Sequence, residues 1–311
     1  MRKTSLDCVY QLAQEDHRVI FVGSDLGAGI LDVMKREMPE RWLMEGISEQ
    51  HIIGMAAGLA MAGFVPYVNS IATFLTRRCY EQIVVDLCMH KLPVRIIANG
   101  GGAVYAPLGP THQATEDLAN MRVLPGMTVL APCDASEMRR LMPQTLNWPG
   151  PIYLRLAKGG DRIVSSPEVK PIIGKGIVMR RPGSLLFVTT GVMAQRALEA
   201  SILLEKKGYT CGVLHMHTVK PLDIELLLSS SANVDMIITI EEHQRTGGLG
   251  SAVIESLNDH VDYQGAPVLR LGIPDCFADE YGSQDSLLDT WNLCPEGITG
   301  AVENRLIRRS S

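Results

Sequence analysis

Glu45-Gly-Ile-Ser-Glu-Gln-His-Ile-Ile-Gly-Met-Ala-Ala-Gly-Leu-Ala60 decides how the chain is read. Ser48 stands where a helix N-cap belongs, which puts Glu49 in the first turn. Behind it Gly54, Ala56, Ala57, Gly58 and Ala60 leave a helix narrow enough to lie close against another backbone. A carboxylate opening so apolar a helix has two readings. It can be a cap favourable to the helix dipole, or a buried acid held against a ligand. The surroundings form a regular series. Val19-Ile-Phe-Val22, Arg41-Trp-Leu-Met44, Val65-Pro-Tyr-Val68, Val94-Arg-Ile-Ile-Ala98, Met127-Thr-Val-Leu130 and Ile152-Tyr-Leu-Arg-Leu156 read as strands. Helical spacing falls between or beside them at 4–16, 48–63, 74–88 and 135–146. Strands alternating with helices predict an α/β fold with a mostly parallel sheet flanked by helices.

The rhythm breaks at 158–183, where Lys158-Gly-Gly-Asp, Ser165-Ser-Pro and Arg181-Pro-Gly crowd together. Turn formers in that density predict an interdomain linker over 161–183. A second series follows with Leu185-Leu-Phe-Val188, Cys211-Gly-Val-Leu214, Met236-Ile-Ile-Thr-Ile240 and Val268-Leu-Arg-Leu271. The expectation is two domains of the same class, 1–160 and a smaller 184–311, each with a mostly parallel sheet. The 311 residues suit that count, and 46% hydrophobic with 20% charged side chains is globular composition. A net charge of −5 argues against a nucleic-acid partner. Seven cysteines, odd in number and without a Cys-x-x-Cys pair, read as thiols of a reducing compartment. The first residues carry Asp7 and no apolar leader, and no apolar run reaches the ~18 residues of a membrane span. A cytoplasmic protein without membrane attachment is expected.

Three further segments give the series a chemical meaning: Ser70-Ile-Ala-Thr-Phe-Leu75, Gly109-Pro-Thr-His-Gln113 with Asp117-Leu118 behind it, and Glu241-Glu-His with Gly247-Gly-Leu-Gly-Ser251. In this order, after Glu49-Gln-His51 and with Thr218-Val-Lys-Pro-Leu-Asp223 in the second half, they resemble the transketolase family over nearly the whole chain. The likeness extends to deoxyxylulose-phosphate synthase, and both enzymes use thiamine diphosphate. It implies a pyrimidine-binding domain followed by the family's C-terminal domain. Full-length members begin with another domain, whose Gly-Asp-Gly and later Asn hold the diphosphate through a divalent cation. No Gly-Asp-Gly occurs here. The resemblance therefore implies the C-terminal subunit of a split transketolase. The N-terminal partner subunit would carry the diphosphate and Mg²⁺ (or Ca²⁺), the assembly would be α2β2, and the substrates would be sugar phosphates.

The same resemblance assigns roles residue by residue. Glu49 matches the acid that holds a proton at the pyrimidine ring nitrogen. Phe74 matches the aromatic that packs on that ring, and Arg77, one turn on, an arginine over it. Asp25 lies near a segment that touches the cofactor. His112 matches the histidine facing the reacting carbonyl, where an imidazole exchanges protons near neutral pH. Arg155 matches an arginine that clamps a substrate anion, its bland alternative being an interdomain ion pair. His51 is a candidate for a supporting place behind these. No residue is expected to bind metal. His215-Met-His217 and the Gly247-Gly-Leu-Gly segment read as structural.

Two departures bear on specificity. Leu108 stands where classical transketolases have an Asp, and Asn99-Gly-Gly-Gly102 replaces an arginine-bearing loop of the synthases. The glycines leave room for substrate or for a mobile loop. Competing readings are a deoxyxylulose-phosphate synthase-like enzyme, the beta subunit of a 2-oxo-acid dehydrogenase decarboxylase, and a non-catalytic regulator. The second usually carries Glu-Gln-Gly where this chain has Glu49-Gln50-His51, and retention of Glu49 and His112 speaks against the third.

Overall fold

The computed structural model describes residues 1–310 except 25, 27, 28, 30, 262 and 264. Twelve strands among these residues form two sheets. They are β1 (Val19–Gly23), β2 (Trp42–Met44), β3 (Val65–Ile71), β4 (Arg95–Asn99), β5 (Thr128–Leu130), β6 (Ile152–Leu156), β7 (Ile177–Arg180), β8 (Leu185–Thr189), β9 (Cys211–His215), β10 (Thr218–Lys220), β11 (Met236–Gln244) and β12 (Val268–Ile273). The first sheet runs β10-β5-β6-β4-β3-β1-β2 and the second β12-β11-β8-β9-β7. All pairings are parallel except β10 with β5 and β7 with β9. The expected class, two mostly parallel sheets flanked by helices, is what forms.

Strands β1, β4, β6 and β8 are buried along their whole length, as central strands covered on both faces must be. One face of the first sheet packs against Ile52, Ala56, Leu75 and Ile83. The other packs against Leu6, Leu12, Met34 and Leu141. No helix among the described residues is long and apolar enough to cross a membrane.

Three elements depart from the sequence reading. Part of the expected linker, Ile177–Arg180, is strand: its half-exposed residues suit the sheet edge it occupies. Thr218–Lys220, inside the expected second domain, pairs with β5 and closes the edge of the first sheet. The expected single helix over 74–88 is broken. Helix Ala72–Arg77 ends, the chain turns at 78–79, and Ile83–Cys88 continues as a widened helical turn. Such widened turns are rare and concentrate near functional sites.

The topology fixes one crevice. From β1 the chain goes to β2 on one side and to β3 on the other. In open parallel sheets the carboxyl ends of strands at such a reversal frame the binding site. Ser24, Asn69 and Ser70 lie there, and helix Glu49–Met61 begins nearby.

Candidate active site

Glu49 is the first residue of its helix and only 2% exposed. Ser48 occupies the N-cap position, but its hydroxyl donates to the Glu45 carbonyl (2.9 Å) instead of accepting from the helix. The Glu49 carboxylate accepts from the Ser70 hydroxyl (3.2 Å) and from the Arg78 guanidinium (2.9 Å). Ser70 in turn meets Ser24 across the β1–β3 boundary, hydroxyl to hydroxyl at 3.0 Å. Behind them Asn99 donates to the Asn69 side-chain oxygen (2.7 Å) and to the Ser70 carbonyl (3.1 Å), while Asn69 donates to the Leu26 carbonyl. The acid therefore stands on a floor of amides and hydroxyls with little freedom to move.

Phe74 presents its ring at the same place. The Arg78 guanidinium lies 4.3 Å from the ring centroid, and the His112 imidazole meets the ring edge-on at 5.1 Å. His112 is half-buried, with Nδ1 2.9 Å from the Thr111 hydroxyl. Glu49, Arg78, Phe74 and His112 thus form one continuous chain of contacts.

Other expected residues stand elsewhere. Arg77 turns away from Glu49: its guanidinium pairs with the Glu116 carboxylate and donates to the Gln113 carbonyl (2.9 Å). It straps the His112 loop to the helix. The reason is local, because adjacent residues at a helix end point about 100° apart, and the break after Arg77 turns Arg78 toward Glu49. His51 has a side chain 62% exposed and reaches only Glu45, at 3.9 Å, so it has no supporting contact with the acid. Asp25 lies outside the described residues.

Arg155 is likewise held by protein groups. Its side chain is 6% exposed, and Nε donates to Asp117, itself fully buried, at 2.8 Å. Its remaining bonds go to the Ala114 and Glu242 carbonyls. Burial works against the charge, but Asp117 more than offsets it, leaving the pKa above the ordinary arginine value. Tyr153 donates to the same carboxylate (2.7 Å). The ion pair lies within the first domain, the guanidinium reaches the second through the Glu242 carbonyl (2.8 Å), and all its hydrogen bonds go to protein groups. The neighbouring glycines explain how it fits. A Cβ at Gly101 would come within 2.5 Å of the Arg155 side chain, and one at Gly102, whose φ is +69°, within 2.4 Å of Glu242. The triglycine loop is filled by side chains and leaves no room of its own for substrate.

Glu242 accepts from the Ala103 amide (2.7 Å) and from Gln284 (2.9 Å), and burial raises its pKa. Glu241, also raised by burial, accepts from the Leu249 and Gly250 amides and so fills the helix start that Gly247-Gly-Leu-Gly opens. His243 bridges the domains, its Nε2 accepting from the Ala119 amide (3.2 Å) and its Nδ1 donating to the Gln244 carbonyl.

Sequence reasoning missed Arg78, Ser70 and Glu116. Each lies in or next to a quoted motif, so the signal was present but the direction of the side chain was not. The donor set fits the pyrimidine end of thiamine diphosphate: a buried carboxylate, a flat ring, and unpartnered buried atoms at Thr73 Oγ1 and Gln113 Nε2 on the framing segments. It does not supply a diphosphate–metal site. The one group of three metal-capable side chains among the described residues lies elsewhere.

Comparison with known proteins agrees with this division. Residues 1–160 match the family described as transketolase, pyrimidine binding domain, and residues 174–298 match transketolase, C-terminal domain. The chain is 33% identical over 311 residues to a 6-deoxy-6-sulfo-D-fructose transketolase subunit from Clostridium sp. (strain MSTE9), covering all of this chain and 95% of that one. It is 38% identical over 301 residues to 1-deoxy-D-xylulose-5-phosphate synthase 1 of Geobacter sulfurreducens, covering 96% of this chain but 46% of the synthase. Among solved structures, a split gene transketolase described as an inactive beta4 tetramer superposes with TM-score 0.89 at 34% identity, covering 97% of both chains.

Proposed function

The chain belongs to the transketolase family, and on that premise we propose that it is the C-terminal subunit of a two-chain transketolase, active only with an N-terminal subunit that holds the diphosphate and Mg²⁺ (or Ca²⁺). The observation that carries this reading is the buried Glu49 carboxylate set beside the Phe74 ring, against which Arg78 lies, with no diphosphate–metal ligands near it among the described residues. Bound thiamine diphosphate supplies the carbanion chemistry of two-carbon ketol transfer. Glu49 holds a proton at the pyrimidine ring nitrogen, Phe74 supports the ring, and His112 exchanges protons with the substrate's oxygens. Ser70 fixes the orientation of Glu49, and Arg77 fixes the loop that carries His112.

Support for partner dependence comes from the split relative, nearly all of which this chain spans, and from the solved beta4 tetramer, which is inactive. An α2β2 assembly follows from pairing two such half-sites. The relatives' names specify a sulfonated sugar in one case and a phosphorylated one in the other, so the donor or acceptor is a sugar ending in a tetrahedral anion. The test is co-expression with an N-terminal subunit carrying Gly-Asp-Gly, then ketol transfer with phosphorylated, sulfonated and neutral sugars. Turnover by the pair and none by this chain alone is expected. Robust ketol transfer by the single chain would overturn the reading. Condensation of pyruvate with an aldose phosphate, with release of carbon dioxide and no ketol transfer, would move the pair to the synthase reaction.

A further inference from the structure

The junction between the two halves holds a cluster that the proposed reaction does not use. Cys133 and Glu137 come from the segment after β5 and the helix Ala135–Thr145, and His215 ends β9. All three are buried, and the atoms each could offer a metal lie within 4.8 Å of one another. The Glu137 carboxylate accepts from the Cys133 amide (2.7 Å), and one of its oxygens lies 2.8 Å from His215 Nε2. That contact leaves Glu137 Oε1 and His215 Nδ1 without a partner, although both are cut off from solvent. A buried carboxylate oxygen left unpartnered is expensive unless something completes it. A cavity of about 120 Å³, lined by Cys133, Glu137 and His215, reaches past Val178 toward the surface. Asp134 is held mainly by backbone, its oxygens accepting from the Glu137, Val164 and Ser165 amides, with the Cys133 thiol 3.6 Å from Oδ2. Arg140, the cation on the cavity wall, is committed to the Val169 carbonyl (2.7 Å) and the Ser165 hydroxyl (2.8 Å).

We propose that Cys133, Glu137 and His215 bind a divalent transition metal ion, with Zn²⁺ the best match, whose fourth position faces the cavity. One sulfur, one imidazole nitrogen and one carboxylate oxygen form a borderline donor set that selects Zn²⁺ over Mg²⁺ or Ca²⁺. Bond lengths of roughly 2.0–2.3 Å place tetrahedral donors somewhat under 4 Å apart, a small contraction of the present arrangement. The ion takes His215 Nε2 and a Glu137 oxygen in place of their hydrogen bond, the imidazole keeping its single proton on Nδ1, and the Cys133 thiol proton is released to solvent. It also joins the two halves of the chain, since Cys133 and Glu137 lie in the loop and helix that follow β5 and His215 ends β9 of the second sheet.

The test uses the full chain, stripped with a chelator and titrated with Zn²⁺ against a chromophoric competitor, and separately with Co²⁺. One equivalent should bind, Co²⁺ should give a thiolate charge-transfer band, and Zn²⁺ should raise the Tm. Cys133→Ser should abolish the band. His215→Gln, which keeps a hydrogen-bonding group toward Glu137, should weaken Zn²⁺ by more than the roughly 10–100-fold that losing an outer partner of a metal site costs. Absence of the cobalt–thiolate band in the wild-type chain overturns the proposal without any variant. So does equal Zn²⁺ affinity in wild type and His215→Gln, which would assign the ion to other thiols such as the exposed Cys276.

Discussion

Replacing Glu49 by Gln keeps an acceptor for Ser70 and removes the charge that faces Arg78. The reconstituted pair should keep its fold and lose about 10²–10⁴ in kcat, the range a positioned acid–base group contributes. Hydrogen–deuterium exchange at the reactive cofactor carbon is the direct reading, and wild-type exchange in the variant would remove Glu49 from its role. Arg78 acts in the opposite sense. It holds both the Glu49 carboxylate and the Phe74 face that an aminopyrimidine would take, so it competes with the ring. Its side chain is 45% exposed, and such a pair is worth up to about 1 kcal/mol. Arg78→Ala should therefore tighten thiamine diphosphate by about fivefold in a titration of the pair; weaker binding would make Arg78 a cofactor ligand. At this scale the sequence offered the motifs but not which of two neighbouring arginines pairs with Glu49. That choice depends on where helix Ala72–Arg77 stops, and no local pattern announces the break.

Elements were legible wherever their burial is two-sided. Short, β-branched and aromatic runs such as Val19-Ile-Phe-Val22 favour a covered strand over a helix. The edges were less legible, because β7 and β10 are short, half polar and set by partners far along the chain. The triglycine loop was misjudged for a related reason: what fills it comes from β6 and β11, some distance away in sequence. Gly102→Ala tests its present explanation. The added Cβ would strain a backbone at φ +69° and press on Glu242, whose bond to Ala103 holds the loop. A loss of about 2 kcal/mol or more is expected in urea unfolding. An unchanged midpoint would show that the loop has slack.

For the whole molecule, Arg155 and Asp117 form a tie between its two halves, through the Glu242 carbonyl. Removing one partner of a buried pair strands the other charge, at about 3–5 kcal/mol. Arg155→Ala should therefore lower stability and cut kcat/KM for anionic and neutral sugars by the same factor. A selective loss of anionic substrates would restore the anion clamp. Asp117 was visible in the sequence as part of the His112 motif, yet nothing there announced that this helix residue would neutralise an arginine on β6. Residue types were readable, and pairings over such separations were not.

The strand β10 has a meaning for synthesis. On the ribosome the first 160 residues emerge before Thr218–Lys220, so the β5 edge waits with unpaired backbone groups while the second sheet is still being made. A nascent chain in that state can recruit any extended segment nearby, including that of a neighbour on the same message. Completion of the second half therefore does more than add a domain: it seals the first against its own siblings.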